Sequence, residues 1–211
     1  MDHGIELSCR CGEIHGTLNG VTPANCNRVI CYCEDCRAFL HHLERAELLD
    51  AQGGTEVVQV APAAVTFERG TERIACVRLT SKGLYRWYAS CCKTPLGNTL
   101  TPSVPFIGIP WELLRGTPDV RARDEAFGRV RAASFAKSAM GGPPQNLPSA
   151  HLGHLLKAVW LVLSWRFRGS VWPHPFFDRT TKAPRYPVAV LSPNEREALR
   201  ARNDSVGTRT P

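Results

Sequence analysis

Three cysteines fall within six residues at Cys31-Tyr32-Cys33-Glu34-Asp35-Cys36, and Arg37 follows directly. Thiolates are soft, polarizable ligands, and a C-x-C-x-x-C run can turn several of them toward one point. The chemistry to expect is a bound transition metal, most often zinc. Two further sets stand ready: Cys9-Arg10-Cys11-Gly12 near the start, and the adjacent pair Cys91-Cys92 downstream. The chain carries nine cysteines, an odd number that cannot pair fully within one chain. Cys9/Cys11 and Cys31/Cys33 are also too close for a relaxed bridge within either pair. Met1 to Ser8 shows neither a basic n-region nor an apolar h-region, so a reducing, cytoplasmic setting is expected, in which cysteines serve as thiols or ligands.

A zinc ion on Cys31, Cys33 and Cys36 would be a poor Lewis acid toward water, because three thiolates already make the site anionic. Its remaining position favours a soft ligand such as a substrate thiol. Arg37 is the candidate substrate-binding residue, offsetting that charge or taking a carboxylate of a glutathione-like molecule, with Arg45 and Arg86 as further cations. In the competing reading Cys26, His41 or His42 closes the fourth position and the metal only holds the fold. Glu34 and Asp35 either move protons or are exposed carboxylates.

The elements that must position these residues are short. Ile5–Ser8 and Glu13–Leu18 read as strands flanking the first cysteine pair, where Gly12 permits a tight turn. A helix is expected to begin at Arg37 and end before Asp50–Gly54. Strands follow at Thr55–Val60, Ala64–Glu68, Glu72–Leu79 and Leu84–Tyr88, punctuated by glycines. Regular short strands point to a mainly β, antiparallel domain. Alternation places Cys76 in the core rather than at a metal.

The order of the motifs carries a resemblance. Cys9-x-Cys11-Gly12, then Cys31-x-Cys33-x-x-Cys36-Arg37, then Tyr88 followed by Cys92-x-Thr94-Pro95-Leu96-Gly97 is similar to the glutathione-dependent formaldehyde-activating enzyme family, which includes the CENP-V proteins. The resemblance spans about residues 5–110. It implies an Mss4-like zinc-binding β-sheet fold and two zinc sites, one structural on Cys9, Cys11 and the downstream cysteines, the other on Cys31, Cys33 and Cys36 with a position open. It also implies a carbon–sulfur lyase-type activity at those three cysteines, on a small thiol such as glutathione or its adduct. The alternative is a non-catalytic, zinc-stabilised interaction module. The chain departs from the family downstream, with Ala89 at the usual first cysteine and Lys93 at the usual glycine. Cys92 is therefore the expected ligand there, and Cys91 a substitute that can reach the same metal only if the strand breaks.

Residues 1–112 thus read as the zinc-binding domain and 113–211 as a C-terminal extension. Arginines and carboxylates mixed between Glu112 and Lys137 suggest a solvated face, and nucleic acid is not an expected partner despite a net charge of +7. Leu152, Leu155, Leu156, Val159, Trp160 and Leu163 form one helical stripe, so an amphipathic helix is expected at about 149–166, packed on the domain or on a second copy in a homodimer. Its apolar run is too short for a membrane span; Arg166, Arg168 and Trp165 beside it could suit a membrane surface, with core packing favoured. Trp172, His174, Phe176 and Phe177 lie in a proline-stiffened segment that either lines a pocket or straps the helix down, the strap being favoured. Ser192 and Pro193 open a short capped helix.

Overall fold

The first two strands, β1 (Ile5–Ser8) and β2 (His15–Leu18), pair antiparallel in the register Ile5↔Leu18 to Ser8↔His15. The loop between them is the Cys9-Arg10-Cys11-Gly12 knuckle, closed by hydrogen bonds from the Gly12 N–H to the Cys9 carbonyl and from the Cys9 N–H to the Ile14 carbonyl. Gly12 takes a φ of +78°, a left-handed conformation that a side chain would disfavour. The chain is represented by a computed structural model that describes residues 4–149 and 152–206.

β3 (Asn27–Cys31) leads into helix α1 (Glu34–His42), which begins three residues before the expected Arg37 because the Cys33 carbonyl accepts from the backbone N–H groups of Cys36 and Arg37. Cys33 is therefore the N-cap and Cys36 rides the first turn. β4 (Thr55–Val60), β5 (Val65–Arg69), β6 (Ile74–Arg78) and β7 (Tyr85–Ala89) stand where the alternation places them. β8 (Pro95–Thr99) and β9 (Ile107–Pro110) complete the central strands.

Beyond residue 112 the chain adds α2 (Val120–Phe127), β10 (Ala133–Ser134), α3 (Leu152–Phe167), β11 (Val188–Val190) and α4 (Pro193–Val206). The protein is mainly β, with an eight-stranded sheet in the order β10-β3-β4-β9-β8-β7-β6-β11 and a three-stranded sheet β1-β2-β5. The two strands contributed from beyond residue 112 join the large sheet at its two edges, each parallel to its neighbour.

The core lies around Trp87, which stacks on Phe176 with ring centroids 4.5 Å apart and meets Phe177 edge-on at 5.6 Å. Phe176, Phe177 and His174 are all buried, so the proline-rich segment acts as a strap across the sheet. Cys76 is buried in the same core, as alternation requires. The mixed charges between Glu112 and Lys137 are not a solvated face throughout. Arg123 and Glu112 are buried, and Arg123 and Arg28 both donate to Glu56, at 2.9 and 2.7 Å, while Arg28 also donates to Asp124 at 2.5 Å. These buried ion pairs, hidden among arginines that look solvent-facing in sequence, anchor α2 to β3 and β4.

α3 lies at the expected place over its described residues; residues 150 and 151 of the expected span fall outside them. Its packing differs from expectation. Leu161 and Trp165 are buried against Ala61, and the Trp165 indole N–H donates to the Asn25 carbonyl at 3.2 Å. The predicted stripe faces away from the domain: Leu152 is 69% exposed and Trp160 58%. The helix is apolar nearly all round, so periodicity alone does not say which face meets the sheet. α4 opens with a reciprocal capping box between Ser192 and Glu195 and runs longer than expected, while residues 207–211 lie outside the described chain.

Among the described residues no helix is long and apolar enough to cross a membrane.

Candidate metal centres

Two cysteine clusters assemble from elements distant in sequence. In the first, the sulfurs of Cys9 and Cys11 stand 3.5 Å apart, those of Cys11 and Cys91 3.4 Å, and those of Cys91 and Cys92 3.8 Å. All four lie within 4.8 Å of one another. Sulfurs placed about 2.3 Å from a common tetrahedral centre are about 3.8 Å apart, whereas a disulfide brings two to about 2.0 Å. The spacing is that of four ligands around one ion.

The β1–β2 knuckle supplies one pair and the β7–β8 turn the other. β7 ends at Ala89, and Lys93 takes a φ of +59°, so the chain breaks away from the extended conformation between the two strands. That break lets adjacent Cys91 and Cys92 face one point. The Ile14 N–H donates to the Cys9 sulfur at 3.3 Å, and the Thr94 hydroxyl lies 3.2 Å from that of Cys92. Burial works against a Cys92 thiolate, but hydrogen bonds from the Thr94 hydroxyl and from the Cys11 and Thr94 backbone bring its thiol down to about 6.

The second cluster is Cys31 at the end of β3, Cys33 at the cap of α1 and Cys36 on its first turn. The Cys31 sulfur is 3.4 Å from Cys33 and 3.5 Å from Cys36. Among the described residues no fourth cysteine, histidine or carboxylate completes this set. Cys26, weighed as a closing ligand, donates instead to the Phe127 carbonyl, and burial pushes its thiol up to about 11. His41 and His42 line a different hollow with Glu195 and Arg202.

The three sulfurs open onto a cleft of about 460 Å³. Its floor is one cross-strand row: Gln59 pairs with Gly108, Gly108 with Asn98, and Asn98 with Arg86. Val29, Val57 and Phe106 make the floor largely apolar, and Glu34, Asp35, Ser134, Phe135 and Ser138 form the rim. A Cβ at Gly108 would approach Val57 Cγ1 to 2.9 Å, so glycine keeps the floor low. A second hollow of about 510 Å³ shares Val29, Gln59, Ser134 and Phe135 with the cleft and runs to Leu152 and Leu155 on α3. Phe135 sits at the junction, 66% exposed with a φ of +55°, a strained backbone of the kind that gathers at ligand sites.

Of the three cations proposed from sequence, only Arg86 reaches the sulfurs. Its guanidinium is buried, with Nη1 3.8 Å from Cys36 Sγ and Nη2 3.7 Å from Asp35 Oδ2. Hydrogen bonds from the Cys31 and Cys33 thiols, helped by Arg86, hold the Cys36 thiol well below its ordinary range. Arg37 turns away and donates to the Tyr32 carbonyl at 3.1 Å and the Ser138 carbonyl at 2.7 Å, clamping the rim loop to the base of α1. Arg45 is engaged by Glu47 and Glu112. Gln59, Asn98 and Phe135 escaped the sequence reading. The cross-strand row becomes visible only once strand partners are known, and nothing local marks Phe135.

The donor sets fit metal ions. The first offers four cysteine sulfurs; the second offers three beside a buried cation and a cleft. No curated protein matches the chain in sequence. A family model described as a family of unknown function, DUF6151, matches residues 1–183, and the chain therefore belongs to that family.

Proposed function

We propose that the protein is a zinc-dependent carbon–sulfur lyase-type enzyme of Mss4-like fold, acting on a thiol adduct in the Cys31/Cys33/Cys36 cleft. The observation that carries this reading is the contrast between the clusters: four sulfurs close one, while three line a cleft in the other. The motif order shared with the glutathione-dependent formaldehyde-activating family supports it further. Cys9, Cys11, Cys91 and Cys92 are then structural ligands that tie the β1–β2 knuckle to the β7–β8 turn.

When bound to the three cysteines, zinc supplies a soft electrophilic position that lowers the pKa of an incoming thiol. Arg86 offsets the negative charge gathered on the sulfurs, and its burial strengthens that effect. For a hydroxyalkyl thioether, the carbon–sulfur bond breaks with its electron pair remaining on sulfur. The hydroxyl proton passes to a carboxylate at the rim, Asp35 being the nearest to Arg86, and a carbonyl forms on the carbon. The products are a thiol and an aldehyde; the reverse reaction joins them. Asn98 lines the floor beside Arg86, and we assign it the hydrogen bond to the adduct oxygen.

The test is to supply hydroxymethyl and longer hydroxyalkyl adducts of glutathione and of simple thiols to the zinc-loaded protein and follow thiol release. Release that disappears in Cys33→Ser and falls in Asp35→Asn supports the reading. Identical rates with and without protein overturn it.

A further inference from the structure

Apart from Leu152 and Leu155, which line the hollow beside the cleft, the exposed face of α3 touches neither the cleft nor that hollow. Leu152, Leu156, Val159, Trp160, Leu163 and Phe167 all present large apolar surface, with Phe167 87% exposed. Such a continuous apolar face on a helix that already buries Leu161 and Trp165 requires a second covering.

Its surroundings say which. From Ala126 to Phe177 the sequence contains no aspartate or glutamate, yet it contains Arg129, Arg131, Lys137, Lys157, Arg166 and Arg168. At the C-terminal end of α3 a cleft of about 500 Å³ is lined by Arg166, Arg179 and Lys182 together with Trp172, and by no carboxylate. The nearby Asp178 carboxylate is held in its own turn by the Thr180 and Thr181 N–H groups. The Lys182 ammonium rests 4.3 Å from the centre of the Trp172 ring. A second copy would bring no carboxylate from residues 126–177 to meet these cations. An anionic bilayer answers both features: acyl chains cover the apolar face, and phosphate headgroups meet the basic cleft.

We propose that α3 docks the protein on the surface of an anionic phospholipid bilayer, lying in the interface with Trp160 and Phe167 inserted and Arg166, Arg179 and Lys182 engaging headgroup phosphates. The helix lies on the membrane and does not span it. This is independent of the chemistry proposed for the cysteine cleft.

The test is co-sedimentation of the full-length, metal-loaded protein with vesicles of phosphatidylcholine alone and of phosphatidylcholine with phosphatidylglycerol. Binding is expected at least about tenfold tighter to the anionic vesicles, weakening as salt rises. Leu156→Glu and Trp160→Glu, both at exposed positions, are expected to abolish it while melting temperature and metal content stay at wild-type values. Arg179→Glu/Lys182→Glu should reduce it about tenfold or more, and inorganic phosphate at equal ionic strength should not displace the protein. Failure of the wild type to bind anionic vesicles overturns the proposal without reference to any variant. So does binding that survives Trp160→Glu, or a wild-type dimer in sedimentation equilibrium that Trp160→Glu converts to monomer with no vesicle binding.

Discussion

The Arg86 guanidinium lies 3.8 Å from the Cys36 sulfur, and both groups are withdrawn from solvent. A buried cation beside clustered thiolates tunes whatever those thiolates hold. Arg86→Met is expected to weaken metal binding at Cys31/Cys33/Cys36 by about tenfold to a hundredfold, the usual effect of losing an outer partner of a metal ligand. Chelator competition should show this for one metal only, with the ion at Cys9/Cys11/Cys91/Cys92 unaffected. Equal weakening of both would contradict the assignment of Arg86 to the open site.

Glu56 accepts from both Arg28 and Arg123, which are almost wholly buried. Glu56→Gln leaves the buried Arg123 guanidinium without its carboxylate partner and Arg28 with Asp124 alone, and a loss of about 3–5 kcal/mol is expected in denaturant unfolding. A loss below about 1 kcal/mol would mean that water reaches this network.

His174 is buried with its Nδ1 accepting from the Phe176 N–H, and burial lowers its pKa to about 4 from 6.5. The folded chain thus binds fewer protons than the unfolded chain between those values. The stability from neutral His174 is complete above about pH 6.5 and is lost as the pH falls through 4, amounting to about 3 kcal/mol. His174→Asn keeps an acceptor near Nδ1 but cannot take up the proton. Urea unfolding at pH 7 and pH 4.5 should show a smaller decline for the variant than for the wild type; equal declines would remove His174 as the cause.

The resemblance places a glycine where this chain has Lys93, and the φ of +59° there explains the preference. Lys93→Gly is expected to raise stability by about 0.5–1 kcal/mol by relieving left-handed strain, and Lys93→Val to lower it. Thermal melts of both variants read the sign directly.

Particular residues show how far the sequence speaks. Strands such as Thr55–Val60 were legible because alternation and glycine punctuation are local signals. β8 was not, since Pro95 and Gly97 oppose strand propensity and only its neighbours justify it: a Cβ at Gly97 would approach Ile107 Cγ2 to 3.1 Å. All seven cysteines of the two clusters were named from spacing and motif order, and the condition set for Cys91, a break in the strand, is met. Arg37 sits beside Cys36 in sequence, yet helix geometry turns it toward Ser138, while Arg86 arrives from fifty residues away through strand pairing. Adjacency in sequence is a poor guide to which cation reaches a site; register across the sheet decides it.

Metal content per chain, measured by elemental analysis alongside thermal melts, tests the central claim most directly. Two zinc ions are expected in the wild type. Cys33→Ser/Cys36→Ser should retain one and still melt cooperatively, whereas Cys11→Ser/Cys92→Ser should lose the fold along with its metal. A wild type holding one zinc or none, or a Cys33→Ser/Cys36→Ser variant that does not fold, would contradict an account in which one site is structural and the other is free for chemistry.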